Sequence, residues 1–286
     1  MSVVPKYAGK KLYEDIKKIA DQQWDTIVIG SGIGGMSCAA ALAKCKQKVL
    51  VLERHYLPGG FTHSFARKGF QWDAGVHAIG EMGEREVPGK ILRWLSNNKI
   101  NMLSLGDPYD EFIFPKGFRY SLPNSCKAYR ENLIKEFPEY EKEIDTYLKH
   151  IRYITQYSKF FFVLKTMPEW LDQKITKMLH KFSRNWWAMT TQEVFDELEL
   201  PEKLQTLLSV HWGYYGSVPR DSSFVIHALT HTHFWNGAYY PDGGSKVFAE
   251  TFLGNVIENK GAVATNAEVA SLIIEKGKVL GVELKN

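Results

Sequence analysis

Asp25-Thr26-Ile27-Val28-Ile29-Gly30-Ser31-Gly32-Ile33-Gly34-Gly35 opens the stretch that decides the fold, and Val49-Leu50-Val51-Leu52-Glu53 closes it. Residues 25–29 read as a short buried strand. The Gly-x-Gly-x-x-Gly at positions 30, 32 and 35 opens a helix of small residues, Met36 to Lys44. A second apolar strand follows, and Glu53 ends it 18 residues past the last glycine. Strand, glycine loop, helix, strand and acid, in that order, form the βαβ unit that binds a dinucleotide. Gly30 permits the tight turn, Gly32 removes a Cβ that would meet the pyrophosphate, and Gly35 lets the helix lie close to the sheet. N–H groups at the helix start, with the helix dipole, attract phosphate. Glu53 is placed to accept hydrogen bonds from ribose hydroxyls. Glycine loops also occur as ordinary turns, but here five features agree in the right order.

The unit alone does not choose between NAD and FAD. Pro58-Gly59-Gly60 follows the second strand, and then Gly69-Phe70-x-x-Asp73-x-Gly75-x-His77. The run GGFTHSFARKGFQWDAGVHAIG (59–80) resembles the second fingerprint of the amine oxidase, phytoene desaturase and carotenoid isomerase flavoproteins. It is most similar to the retinol saturase branch, with Phe61 in place of an arginine after the glycine pair and a histidine at His77. That resemblance implies a Rossmann-like FAD-binding domain of the GR2 type. It carries over a cofactor-binding set of Gly30, Gly32, Ile33, Gly34, Gly35, Glu53, Arg54, Gly59, Gly60, Phe61, Gly75, Val76 and His77. His77 is also the candidate catalytic residue, near the flavin ring. Read without the resemblance, Gly59-Gly60 and Gly75 are glycine turns.

A third block, from Tyr239 to Leu284, strengthens the likeness. Pro241-Asp242-Gly243-Gly244 reads as a turn, and Ser245 as the cap of a helix running to about Asn259. Gly261 fits the position just past the helix end. A short strand at 262–265 precedes a hairpin, 269–274 and 279–284, around Lys276-Gly277. In the superfamily this segment returns the chain to the dinucleotide domain, which implies Val269 beside the adenine. The resemblance covers 24–80 and 222–285 well and the middle loosely. The expected division is a discontinuous FAD-binding domain, 1–84 and 241–286, around a helical and small-sheet substrate domain, 85–240. Family members continue beyond the hairpin with a flavin-facing segment, whereas this sequence stops at Asn286. The expectation is therefore a C-terminally incomplete flavoprotein, with the missing half lost or supplied by a second chain.

Composition sets outer limits. Apolar content of 44% and charge of 24% are ordinary for a globular protein. A formal net charge of +4 with no nucleic-acid-binding motif argues against a nucleic-acid partner. Cys38, Cys45 and Cys126 are scattered, which suggests a reducing compartment and packing thiols in the first helix. No apolar run approaches transmembrane length. Lys6, Lys10 and Lys11 lead into no apolar stretch, so no secretory signal is read, and Leu12–Trp24 looks like a short amphipathic helix.

In the middle, Leu133, Phe137, Tyr140, Ile144, Tyr147, Leu148 and Ile151 recur at helical spacing. The preceding EFIFPKGFRYSLP reads as a hairpin turning at Pro115-Lys116-Gly117. Lys149 to Trp187 carries net +6, with Phe160, Phe161, Phe162, Trp170, Trp186 and Trp187 interleaved. Such a stretch suits an anionic bilayer surface or, equally, core helices with solvated lysines. His227, His231 and His233, with His211 nearby, look like metal ligands, but a helix puts only His227 and His231 on one face. Core or pocket histidines with no metal is the preferred reading. Trp212, Tyr214, Tyr215, Phe234, Trp235, Tyr239 and Tyr240 are candidates to line an apolar cavity or simply to fill the core.

These readings converge on an FAD-dependent oxidoreductase acting on carbon–carbon double bonds of a lipophilic polyene, with NAD(P)H a candidate electron donor. The alternatives are a redox-neutral carotenoid isomerase and a non-catalytic dinucleotide-binding or membrane-associated remnant. The expected location is cytoplasmic, peripheral to a membrane if residues 149–187 make that contact.

Overall fold

The computed structural model describes residues 14–182 and 186–285, with the side chains of 178–182 left aside. It forms two compact units. The first comprises the described parts of Met1–Ala78, Met82–Leu103 and Tyr239–Asn286, and the second comprises Ile79–Glu81 and Ser104–Ala238.

In the first unit, strand Thr26–Ile29 pairs in parallel with Val49–Leu52, which pairs in parallel with Ala262–Ala264. All four residues of the central strand are buried, so its sequence is an unbroken apolar run rather than an alternating one. The helix Ile33–Lys44 lies beside Lys246–Glu258. Met36, Ala39, Ala40 and Ala43 are fully buried there, and the alanines let the two elements approach closely. The segment 82–103, expected in the inserted domain from residue 85 on, packs in this unit instead. Its helix Val87–Ser96 buries Leu92 and Leu95, and the Asn255 amide donates to Leu95 O at 2.7 Å.

Local expectations here hold with four changes. Ser245 stands at the helix start, but its side chain makes no cap bond. The helix after Ser245 ends with Lys260, not Gly261, in the left-handed region (φ 66°). Gly261 is required for another reason: a Cβ there would lie 2.6 Å from Val49 O. The N-terminal helix is only Ile16–Ile19, capped by Asp15, while residues 12 and 13 lie outside the described residues, as do Lys6, Lys10 and Lys11. Cys38 and Cys45 are exposed rather than packed, because they fall on the outer face of their helix. The closing hairpin, Val269–Glu275 and Lys278–Leu284, turns at Lys276 and Gly277, both with positive φ, as a tight hairpin turn demands.

The second unit is mostly helical. Its hairpin pairs Asp110–Ile113 with Arg119–Leu122. Helices follow at Cys126–Glu136, Glu141–Leu164, Glu169–Phe182, Thr191–Glu197, Glu202–Leu208 and Phe224–His233. Ser125 caps the first of these, and a Thr190–Glu193 capping box starts the fourth. The helical stripe read from sequence forms the core, with Leu133, Phe137, Ile144, Tyr147, Leu148 and Ile151 all buried against Phe195, Leu204 and Phe224.

Candidate dinucleotide site

The site lies at the carboxyl end of the parallel strands, where the chain leaves each in turn. Gly30 (φ 91°) donates its N–H to Leu52 O at 2.7 Å, closing the first strand onto the second. Glu53 N–H donates to Ala264 O at 2.9 Å, and Ala267 N–H donates back to Glu53 O at 2.9 Å. Asn266 N–H reaches His55 O at 3.1 Å. Gly30, residues 52–55 and residues 264–267 are thus laced together by main-chain bonds.

Ser31 and Glu53 lock the loop. Glu53 Oε2 accepts the Ser31 N–H at 2.8 Å and the Ser31 hydroxyl at 2.6 Å, and Oε1 accepts the His55 N–H at 2.8 Å. The Ser31 oxygen in turn accepts the Gly59 N–H at 3.0 Å. Both side chains are buried. Burial pushes the Glu53 carboxyl up, but the Ser31 hydroxyl and the His55 and Ser31 N–H groups prevail and hold it below its usual value. A carboxylate has roughly four lone-pair sites, so Oε1 keeps capacity for one more donor.

The glycines divide by what a side chain would meet. At Gly30, Gly32 and Gly34 an added Cβ would find no atom within 4 Å, whereas at Gly35 it would lie 2.1 Å from Gly30 O. Gly35 therefore serves the fold, and the other three border open space. Gly32 caps the helix without any side-chain cap bond, leaving the first-turn N–H groups to other acceptors. Gly60 (φ 54°) brings the second glycine pair up, with its Cβ position 3.0 Å from Gly32 Cα. An open cradle of backbone at an uncapped helix start fits the phosphates of a dinucleotide.

Of the other expected residues, Ile33 is exposed beside Gly32 and Arg54 is exposed beside Glu53. Phe61 is strongly exposed and packs over Gly75, whose Cβ position is 3.0 Å from Phe61 Cβ. His77 is exposed, with Nδ1 2.5 Å from Ala78 O. Val76 O accepts the Tyr240 hydroxyl at 3.3 Å. Val269 begins the hairpin, half-buried against the apolar cluster of Leu50, Leu52 and Ala264.

Two features escaped the sequence. Ser31 is the pivot of the loop, and its only signal is a small polar residue between two glycines. Asp73, quoted above only as part of a fingerprint, accepts the Ser64 hydroxyl, the Tyr240 hydroxyl at 2.6 Å and the Ser245 N–H at 2.9 Å. Burial opposes its ionisation, but the Ser64 and Tyr240 hydroxyls and the Ser245 N–H hold the carboxyl below its usual value. It ties the strand pair 64–73 to the turn before Ser245, where a Cβ added at Gly244 (φ 83°) would lie 3.1 Å from its Oδ2.

In the second unit the histidines are structural. His227 is fully buried, with Nε2 2.7 Å from the Tyr147 hydroxyl and Nδ1 3.1 Å from the Tyr215 hydroxyl. His231 Nε2 meets Leu208 O at 2.8 Å, and His211 Nε2 meets the Tyr109 hydroxyl at 3.0 Å. His233 points elsewhere, accepting the Gly80 N–H at 2.8 Å. No group of three or more metal-ligating side chains occurs among the described residues. Phe234 stacks on His211 in this core and Tyr215 is spent on His227. Of the candidate cavity aromatics, Trp212 borders a groove of about 330 Å³ with Phe112, Phe114 and Val218. Trp235 stacks instead with Arg152, and Tyr240 holds Asp73 in the first unit.

Residues 28–88 match the NAD(P)-binding Rossmann-like domain family. All-trans-retinol 13,14-reductase of Macaca fascicularis is 34% identical over 293 residues, covering 99% of this chain and 48% of that protein. Prolycopene isomerase of Daucus carota is 25% identical, covering 93% of this chain and 44% of that protein. The chain thus spans about half the length of the relatives it matches. Among solved structures, a putrescine oxidase variant redesigned in its cofactor binding superimposes with a TM-score of 0.59 at 15% identity, covering 92% of this chain and 54% of that one. The chain is similar over nearly its whole length to retinol 13,14-reductases and more distantly to prolycopene isomerases, carries a Rossmann-like dinucleotide-binding domain, and shares its fold with the putrescine oxidase structure.

Proposed function

We propose that the chain binds FAD and forms part of an oxidoreductase that acts on carbon–carbon double bonds of a lipophilic polyene. The observation that carries this reading is the open cradle at Gly30, Gly32 and Gly34, backed by the Ser31–Glu53 lock. Gly32, Ile33, Gly59 and Gly60 would hold the pyrophosphate, the free capacity of Glu53 Oε1 the ribose, and the backbone at Val269 the adenine. Phe61, Gly75, Val76 and His77 would border the ring. A bound flavin supplies hydride transfer to or from carbon. His77, whose Nδ1 lies 2.5 Å from the Ala78 carbonyl oxygen, is the proposed polar contact or proton donor beside the ring. NAD(P)H is the proposed electron donor.

The likeness to a prolycopene isomerase favours a second reading, double-bond isomerisation with no net redox change. Incubation with FAD, a reductant and all-trans-retinol or prolycopene separates the two. A product two hydrogens heavier supports the reductase, and an unchanged mass with altered absorption supports the isomerase. Tight binding of NAD with none of FAD would overturn both.

A further inference from the structure

The long helix Glu141–Leu164 changes character along its length. Its core stripe of Ile144, Tyr147, Leu148, Ile151 and Ser158 is buried, and the same stripe runs on to Phe162, which is 55% exposed. On other faces of the last turns, Phe160 is 46% and Val163 53% exposed. A helix end that is apolar all round normally has something apolar around it. The chain then turns through Lys165–Pro168 and starts the helix Glu169–Phe182. Met167 and Trp170 are exposed at that elbow, Trp170 at 69%.

Cations flank the elbow in sequence. Lys159, Lys165, Lys174 and Lys177 are all exposed, against Glu169 and Asp172. Asp172 is bonded to Lys165 at 2.7 Å, and Glu169 accepts from Gln173 at 2.9 Å. Protein interfaces are depleted in lysine. An apolar tip flanked by lysines matches the boundary of an anionic bilayer, where aromatic groups sink to headgroup depth and ammonium groups meet lipid phosphates and carboxylates.

We propose that the elbow between these two helices, led by Phe162 and Trp170, is a peripheral docking site for an anionic lipid surface. Trp186 and Trp187, the other aromatic pair of the basic stretch, are not part of it. Trp186 is buried with Phe224, and Trp187 packs on Phe161. Arg184 and the side chains of Leu179, Lys181 and Phe182 lie outside the described residues. No helix among the described residues is long and apolar enough to cross a membrane, and the docking needs none. It stands apart from the polyene reading, because it requires neither flavin nor turnover.

The test is sedimentation of the 286-residue chain with vesicles of phosphatidylcholine alone or mixed with phosphatidylserine, at low and high salt. Binding should require phosphatidylserine and fall with salt. Lys174→Glu/Lys177→Glu should lower it about tenfold or more, and Phe162→Ser/Trp170→Ser should remove the part that survives salt. Brominated lipid should quench the native chain more than Trp170→Phe. Both pairs should melt with the native chain, since the side chains are exposed. Equal recovery in the supernatant with and without vesicles, native-like binding by both variants, or a large fall in melting temperature for Phe162→Ser/Trp170→Ser would each overturn the proposal. The last would mean that the cluster is covered by protein.

Discussion

In the first unit the carboxylates that order the loops are held charged, and in the second the buried histidines are neutral. Glu53 and Asp73 are each held ionised by three donors, among them main-chain N–H groups of nearby turns. His227 and His231 are fully buried beside a tyrosine hydroxyl and a carbonyl, and desolvation drives both to the uncharged form. A loop that must receive a polyanion can order itself around a fixed carboxylate, because backbone N–H groups remain to face the ligand. A helical core has no spare main-chain donors, so its polar groups must pair with one another and stay neutral.

The most damaging way to probe this difference is Gly35→Ala. Its Cβ would overlap Gly30 O, and a cost of about 3 kcal/mol or more is expected from urea unfolding. A loss under about 1 kcal/mol would mean that the loop and helix can part freely.

Acid should separate the units. Burial holds His211, His227 and His231 of the second unit below the unfolded value of about 6.5, His231 at about 4. Below pH 6.5 the unfolded chain takes up protons that the folded core refuses. Stability is therefore full above pH 6.5 and declines as pH falls toward 4, by up to about 3 kcal/mol from His231. Glu53 and Asp73 have lowered values, so their contribution persists until pH falls below about 4.5 and 3.8 and is then lost. Hydrogen exchange in residues 224–233 should accelerate before that in 33–44 once intrinsic rates are corrected. Simultaneous opening only below pH 4.5 would erase the contrast.

Removing one hydroxyl from each unit gives a finer comparison. Ser31→Ala takes two partners from the Glu53–Gly59 lock, and Tyr147→Phe takes one from buried His227. Each should cost about 1–3 kcal/mol, but only Ser31→Ala should also weaken dinucleotide binding. Equal effects of the two on binding would contradict the assignment of roles. The smallest effect belongs to Lys260→Gly, which relieves a left-handed residue at a helix end and should stabilise by about 0.5–1 kcal/mol.

The first unit was largely legible because its requirements are local. A glycine at a fixed offset, an unbroken apolar strand and a two-residue turn each leave a mark within a few positions. The roles of Ser31 and Asp73 were not readable from their neighbours, since partners stand 22 and 167 residues away. In the second unit helical periodicity predicted Ile144, Tyr147 and Ile151 as core correctly. Phe162, read within the basic stretch as either bilayer-facing or core, stands at 55% exposed because the helix runs past the elements that cover Ile151. The basic stretch likewise read as one element, although Trp186 is core and Trp170 is surface. The boundary expected at residue 85 left the helix Val87–Ser96 with the inserted domain, because an apolar helix face does not say which unit it packs against.

The central claim is that Gly32 is open for a ligand whereas Gly35 is closed by the fold. The most direct measurement is FAD titration of the native chain and Gly32→Val, with a thermal melt of each. The account predicts a variant that melts close to the native chain and binds FAD at least about a hundredfold more weakly. Retention of native FAD affinity by Gly32→Val would contradict it and move the cofactor site away from the glycine loop.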